Sequence, residues 1–179
     1  SVEAIFGDGA EMLWYNIVDR MFTYDHGLAI ETGHINPTAL SQEQQDAMRT
    51  MLQKAAYALG VHWGPFKIDA MWTVDGPKIL ECTARLSGGW DSQGTSPLTG
   101  RHPLRMLLHL ACGLPVGPPP TEAQGYAACA AILPQVTGRV QALPLTIAVV
   151  PKEWPLIKQV IWAIKEGDSI APVQHNGER

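Results

Sequence analysis

Alternation of apolar and polar positions is strongest between Gly64 and Gly89. Phe66, Ile68, Ala70 and Trp72 share one parity, and Lys67, Asp69 and Met71 share the other. Past Asp75-Gly76, Leu80, Cys82 and Ala84 are apolar or small, while Glu81, Thr83 and Arg85 are polar. Successive strand side chains point to opposite faces, so the pattern predicts a β-hairpin whose strands each have one buried and one polar face. Loop length decides which residues meet. A two-residue Asp75-Gly76 loop sets Asp69 against Cys82. A three-residue Val74-Asp75-Gly76 loop sets Asp69 opposite Glu81, with Gly76 as the left-handed residue such loops require. The second register also gathers the apolar residues on one face, and a buried face fixes register, so it is the expected one. Arg85 then lies four residues beyond Glu81 on the same face.

The same reading extends along the chain. Val2 to Phe6, a Gly7-Asp8-Gly9 turn and Glu11 to Asp19 predict another hairpin. Residues 20–27, polar and aromatic, are expected to form a loop in which Asp25 and His26 are solvated. Leu28 to Gly33 predicts a short strand, ended by Pro37. Ser41 caps a predicted helix running to Leu59, with Gly60 as its stop. Met48, Met51, Leu52, Ala55, Ala56 and Leu59 give it one apolar stripe. The sequence LSGGWDSQGTSPLTGR reads as a long Gly- and Ser-rich loop. His102-Pro103 opens a second helix through Cys112. The stretch 115–120 (PVGPPP) is a stiff spacer. Short segments beyond it, split by Pro and Gly, predict a small antiparallel β unit, with a helical turn at Glu153 to Lys158. Strand-strand-helix-strand-strand order points to an α+β layer.

Composition narrows the functional classes. The chain has 179 residues, enough for one domain or two small ones. Its net charge of -4 and lack of a basic cluster argue against nucleic acid or an anionic membrane as main partner. No apolar run reaches the roughly 20 residues of a bilayer span. Cys82, Cys112 and Cys129 are too dispersed for a disulfide framework or a metal motif, so three buried thiols in a reducing, cytoplasmic setting are expected. The opening in mid-strand and the HNGER end suggest part of a longer protein.

Like charges directly opposite in a sheet are destabilising, so Asp69 facing Glu81 calls for a reason. One is a divalent cation, since Mg²⁺ takes one or two carboxylates plus phosphate oxygens. The other is a solvated face neutralised by Lys67 and Arg85. Gly88-Gly89 either let amide groups reach an anion or form a plain connector. Glu31 and His34, at a strand end, are either a structural pair or part of a site. Phosphate-loop, zinc-protease and nucleophile-elbow motifs are missing.

Asp69 and Glu81, followed by Glu81-Cys82-Thr83-Ala84-Arg85 and Gly88-Gly89, resemble the carboxy-terminal half of an ATP-grasp domain. That family's pattern is an acidic strand residue, a turn, then Glu-x-Asn-x-Arg before a Gly-containing loop. SVEAIFGDG resembles the strand ending the family's adenine hinge. GHINP and the tail segments GYAACAAILP, GRVQALP and IKEGDSI resemble the L-amino-acid ligase and carbamoyl-phosphate-synthase-like branch. The resemblance covers nearly all of the chain.

It implies an α+β fold: an ATP-grasp carboxy-terminal subdomain over residues 1–114, an antiparallel sheet with flanking helices, and a small β-rich lid or accessory domain over 121–179. It implies an ATP-dependent ligase joining a carboxylate to an amine through an acyl phosphate, with ATP and Mg²⁺ (or Mn²⁺) as cofactors. Asp69, Glu81 and Thr83 would hold the metal, and Thr83 departs from the family's Asn. Arg85 would bind the substrate carboxylate or acyl phosphate, and the Gly88 and Gly89 amides would face the oxyanion. Glu31 and His34 match a Glu-x-x-His that lies near the substrate amine in the amino-acid ligase branch. The phosphate loop and adenine hinge are expected in an amino-terminal half that this chain lacks, so the chain alone is expected to be inactive. The alternatives are a biotin carboxylase or carbamoyl-phosphate-synthase-like enzyme, and a non-catalytic, degenerate ATP-grasp module.

Overall fold

Val2–Phe6 (β1) is buried at all five positions, as a strand is when both faces of its sheet are covered. It opens a computed structural model that describes residues 1–25, 27–88, 90–117, 123–143 and 155–173. The strands that follow are β2 (Met12–Ile17), β3 (Asp19–Asp25) and β4 (Leu28–Asn36), then helix α1 (Gln42–Ala58). Next come β5 (Gly64–Thr73), β6 (Gly76–Thr83) and helix α2 (Pro103–Ala111). Three short strands complete the set: β7 (Ala127–Ala130), β8 (Gly138–Arg139) and β9 (Ser169–Ile170).

Contacts divide the chain into two units, residues 1–21 with 33–130 and residues 22–32 with 131–179. The first is built on an antiparallel sheet in the order β2-β1-β5-β6. Alternation along β1 explains its two covers. Val2, Ala4 and Phe6 join Ile17, Phe66 and Ile68 against Met48, Leu52 and Ala56 of α1. Ile5 points the other way and packs with Trp14 and Leu86 against Met106, Leu107 and Leu110 of α2. The Ser41 hydroxyl accepts from the Gln44 amide, and the Gln44 side chain accepts from the Ser41 amide, so a capping box starts α1 as expected. Gly60, at φ 72°, follows its end. The second half of β4 pairs antiparallel with β7 inside this unit, His34 opposite Cys129. In the second unit, β8 and β9 pair through Gly138↔Ile170 and Arg139↔Ser169.

The mixed α and β architecture agrees with the sequence, and four details differ. Residues 19–25 form a strand, not a loop. Met21, Phe22 and Tyr24 are all exposed, so no buried face imposed a period on them. β4 runs on to Asn36. Cys82 and Cys112 are exposed and Cys129 is half-buried, so the expected buried thiols are not found. The return strand β6 has no buried face: Ile79 is 38% exposed and Leu80 65%. It is an edge strand, and the buried core under α1 is drawn from β1, β2 and β5. His26 and the segment 144–154, with the first two residues of the turn expected at Glu153 to Lys158, lie outside the described residues.

Candidate functional site

Asp69 does stand opposite Glu81, and Lys67 opposite Thr83, but not by way of a three-residue loop. Thr73 pairs with Gly76, which leaves only Val74 and Asp75 in the turn. Gly76 holds φ 92°, as a left-handed residue after a tight turn does. The Thr73 hydroxyl donates to the Gly76 carbonyl (2.8 Å) and accepts from the Asp75 amide (3.2 Å). The register then shifts between Asp69 and Ala70: Ala70 meets Ile79, Asp69 meets Glu81, and Leu80 is the extra residue of a β-bulge.

Asp69 is the better-anchored acid. Lys67 Nζ lies 2.7 Å from Oδ1 and Arg20 Nη1 lies 3.0 Å from Oδ2. Burial works to raise its pKa. The Lys67 hydrogen bond and the charges of Arg20 and Lys67 outweigh burial and hold the carboxyl below its ordinary range. Glu81 is exposed and accepts a hydrogen bond from the Thr83 hydroxyl at 2.9 Å. The neutralising cations on Asp69 are therefore Lys67 and Arg20, not Lys67 and Arg85. Arg85 is exposed and donates from Nη1 to the Leu86 carbonyl (3.0 Å). Asp69, Glu81 and Thr83 are hard oxygen donors, which suit Mg²⁺ or Mn²⁺ when phosphate oxygens complete the shell. Among the described residues no group of three or more His, Cys, Asp or Glu forms a metal cluster.

The polar face continues across the sheet. Asn16, Glu3, Lys67 and Thr83 are successive cross-strand partners on β2, β1, β5 and β6. Against it lies the Gly- and Ser-rich segment, which is folded rather than a plain connector. Residues Asp91–Thr95 make one π-helical turn and Ser96–Leu98 one α-helical turn. Glu3 is 2% exposed, and its Oε2 accepts from the Ser87 amide (2.8 Å) and the Ser92 hydroxyl (2.7 Å). Burial, and to a lesser extent the nearby Asp91 charge, lift its pKa despite these hydrogen bonds. Asp91 bridges the segment to β4: Oδ2 accepts from the Ser87 hydroxyl (2.6 Å), and Oδ1 lies 2.9 Å from His34 Nε2. A carboxylate only accepts, so Nε2 carries the proton. Thr95 Oγ1 is also 3.0 Å from that nitrogen. Ser96 Oγ accepts from both Asn16 and Asn36, and Arg101 donates to Asn16.

Of the residues singled out in the sequence, Asp69, Glu81 and Thr83 come together on one face. His34 is 1% exposed, in the buried hydrogen bond to Asp91. Glu31, 6% exposed, belongs to the second unit. Gly88 follows Ser87, and its carbonyl accepts from the Asp91 amide (3.3 Å). Gly89 lies outside the described residues. Sequence reasoning missed Glu3, Arg20 and Ser92. Glu3 had a signal: it is the one charge in an otherwise apolar strand. A cleft of about 520 Å³ runs along β2, past Arg49 and Arg101, and holds none of the predicted metal or substrate residues. Among the described residues no helix is long and apolar enough to cross a membrane.

This architecture is an ATP-grasp fold. The chain is similar over 99% of its length to phosphoribosylglycinamide synthetase from Anaerococcus prevotii, with a TM-score of 0.78 and 15% identity. It is similar over 97% to the L-amino acid ligase from Bacillus licheniformis, with a TM-score of 0.68 and 20% identity. Over 71% it is similar to N5-carboxyaminoimidazole ribonucleotide synthetase from Thermus thermophilus, with a TM-score of 0.53 and 21% identity. It spans 45%, 43% and 33% of those chains, less than half of each. In sequence, a 57-residue stretch is 39% identical to the uncharacterized protein y4rH of Sinorhizobium fredii, covering 32% of this chain and 12% of that protein. No family profile matches the chain.

Proposed function

We propose that the chain is the metal- and acyl-phosphate-bearing part of an ATP-dependent ligase that joins a carboxylate, such as an amino acid, to an amine. The observation that carries this is the cross-strand pair Asp69↔Glu81 on the polar face of an ATP-grasp sheet. In such a reaction a carboxylate oxygen attacks the γ-phosphorus of ATP, giving an acyl phosphate and ADP. The amine nitrogen then attacks the acyl carbon, inorganic phosphate leaves, and the nitrogen gives up a proton.

Asp69 and Glu81, with the Thr83 hydroxyl, would hold Mg²⁺ or Mn²⁺. Such an ion would neutralise charge on the transferred phosphoryl group. Lys67 and Arg20 keep Asp69 ionised, ready to coordinate without first losing a proton. Arg85, exposed, has the planar fork that suits a carboxylate or acyl phosphate. The amides of Gly88 and Gly89 would face the developing oxyanion. His34 anchors the loop through Asp91.

The test is ATP turnover by the full-length protein against panels of amino acids and amines, with and without Mg²⁺. Glu81→Gln should abolish both turnover and its Mg²⁺ dependence. Full activity in that variant would remove the metal role from the hairpin, and no turnover by the wild-type protein would favour a non-catalytic module.

A further inference from the structure

Ser87 and Ser92 are tied to one oxygen of one side chain, Glu3 Oε2, at 2.8 and 2.7 Å. That side chain reaches them from the central strand, 84 and 89 residues away in sequence. Ser92 Oγ is also 2.9 Å from the Ser87 carbonyl, so the two ends of the segment close on each other over Glu3. Between them Trp90 holds φ 76°, a left-handed conformation that a bulky side chain adopts only when its surroundings impose it. Its ring packs over Gly94, where an added Cβ would come within 3.1 Å of Trp90 Cβ. Glu3 touches none of Asp69, Glu81 or Thr83 through a hydrogen bond or ion pair among the described residues. It holds the stretch that follows Arg85 and contains Gly88.

We propose that Glu3 is a positioning residue: it fixes Ser87 and Ser92 so that the Gly88 amide is presented towards the acyl phosphate. This rests on the ligase reading. Oε2 accepts both hydrogen bonds, so the device needs a correctly placed oxygen acceptor, and the carbonyl of a glutamine in the same place can also supply one. Glutamine should therefore rescue what alanine destroys. A purely charge-based catalytic role would fail in both variants.

The experiment uses the full-length protein and three variants, Glu3→Ala, Glu3→Gln and Ser92→Ala. Two readouts are followed: amide hydrogen exchange at residues 87–92, and steady-state turnover. Loss of a hydrogen bond to a charged acceptor should speed exchange of the Ser87 amide by about tenfold or more in Glu3→Ala. In Glu3→Gln the change should stay within about threefold. Turnover in Glu3→Ala should fall in kcat by about tenfold, with KM for ATP and half-saturating Mg²⁺ unchanged, since the metal hairpin is untouched. Unchanged Ser87 exchange in a folded Glu3→Ala protein overturns the proposal. So does a rise in KM with kcat intact, or equal loss in the glutamine and alanine variants. If Glu3→Ala does not fold, Ser92→Ala decides: faster exchange at 87–92 with lower kcat supports the loop's role, and unchanged values refute it. A wild-type protein with no ATP-dependent turnover overturns the ligase reading, and the exchange arm still decides whether Glu3 holds the loop.

Discussion

Asp69 and Glu81 face each other, yet their replacement should carry very different stability costs. Asp69→Asn keeps the side-chain shape but removes the charge that meets Lys67 Nζ at 2.7 Å and Arg20 Nη1 at 3.0 Å. The Lys67 side chain is 8% exposed and that of Asp69 17%, so water cannot simply replace the lost partner. Exposed ion pairs contribute about 0.2–1 kcal/mol, while removing one partner from a buried pair costs about 3–5 kcal/mol. Small but real exposure puts Asp69→Asn between these limits, at about 2 kcal/mol. Glu81 is exposed and bonded to Thr83, so Glu81→Gln should cost about 0.5 kcal/mol or less. Both variants should nevertheless lose about a hundredfold or more in Mg²⁺-dependent turnover. Urea unfolding of the full-length protein measures the first difference as a shift in midpoint at constant slope. A Mg²⁺ titration of ATP turnover measures the second. Equal stability of the two variants would show that the Lys67–Asp69–Arg20 unit does not exist in solution. A stable Glu81→Gln protein with normal turnover would sink the metal assignment.

Gly33→Ala should cost about 2–3 kcal/mol, read as a lowered melting temperature, because the new Cβ would lie 2.2 Å from the Cys129 carbonyl oxygen of β7; an unshifted melt would contradict the β4–β7 pairing. Leu52→Ala, at a fully buried position between α1 and the sheet, should lower the free energy of unfolding by about 3 kcal/mol in urea, and a loss under about 1 kcal/mol would mean that α1 does not cover this face. Burial lifts the Glu3 carboxyl above its ordinary value of 4.5, so the folded protein keeps this proton to higher pH than the unfolded chain. Its contribution to stability is then complete below that value and is lost as pH rises through the folded one. Glu3→Gln should therefore flatten the fall in stability as pH rises above 4.5, and an unchanged slope would refute the assignment. The isolated 179-residue chain should show no ATP turnover, and phosphate release above background by it would overturn the view that the nucleotide site needs an amino-terminal half.

Elements with a buried face were legible in the sequence, and those without one were not. Helix α1 announced itself through Ser41, Gly60 and the Met48–Leu52–Ala56 stripe, because each acts within a few residues of chain. The β1–β2 hairpin was legible for the same reason. β3 was hidden because both of its faces meet solvent, and no alternation is then required. The loop after Arg85 was hidden for the opposite reason. Its Ser and Gly composition reads as a connector, and its order comes from Glu3, Asn16 and His34, 60 to 90 residues earlier in the chain. No local pattern encodes such contacts.

The hairpin shows how a correct pairing can follow from an incomplete argument. Turn length alone would have set the register had β6 been regular, and the Val74-Asp75 turn would then have put Asp69 against Leu80. What holds Asp69 in place is the core side of β5. Phe66 and Ile68 must lie opposite Ala4 and Val2, under α1, which forces Lys67 and Asp69 onto the other face together with Glu3. β6, an edge strand with no buried face of its own, takes up the difference through the extra residue at Leu80. The carboxylate pair is thus fixed by the buried strand, and the exposed strand adapts. Deleting Leu80 should therefore close the bulge and keep Glu81 opposite Asp69, since Glu81 then directly follows Ile79, the partner of Ala70, while Phe66 and Ile68 stay in the core.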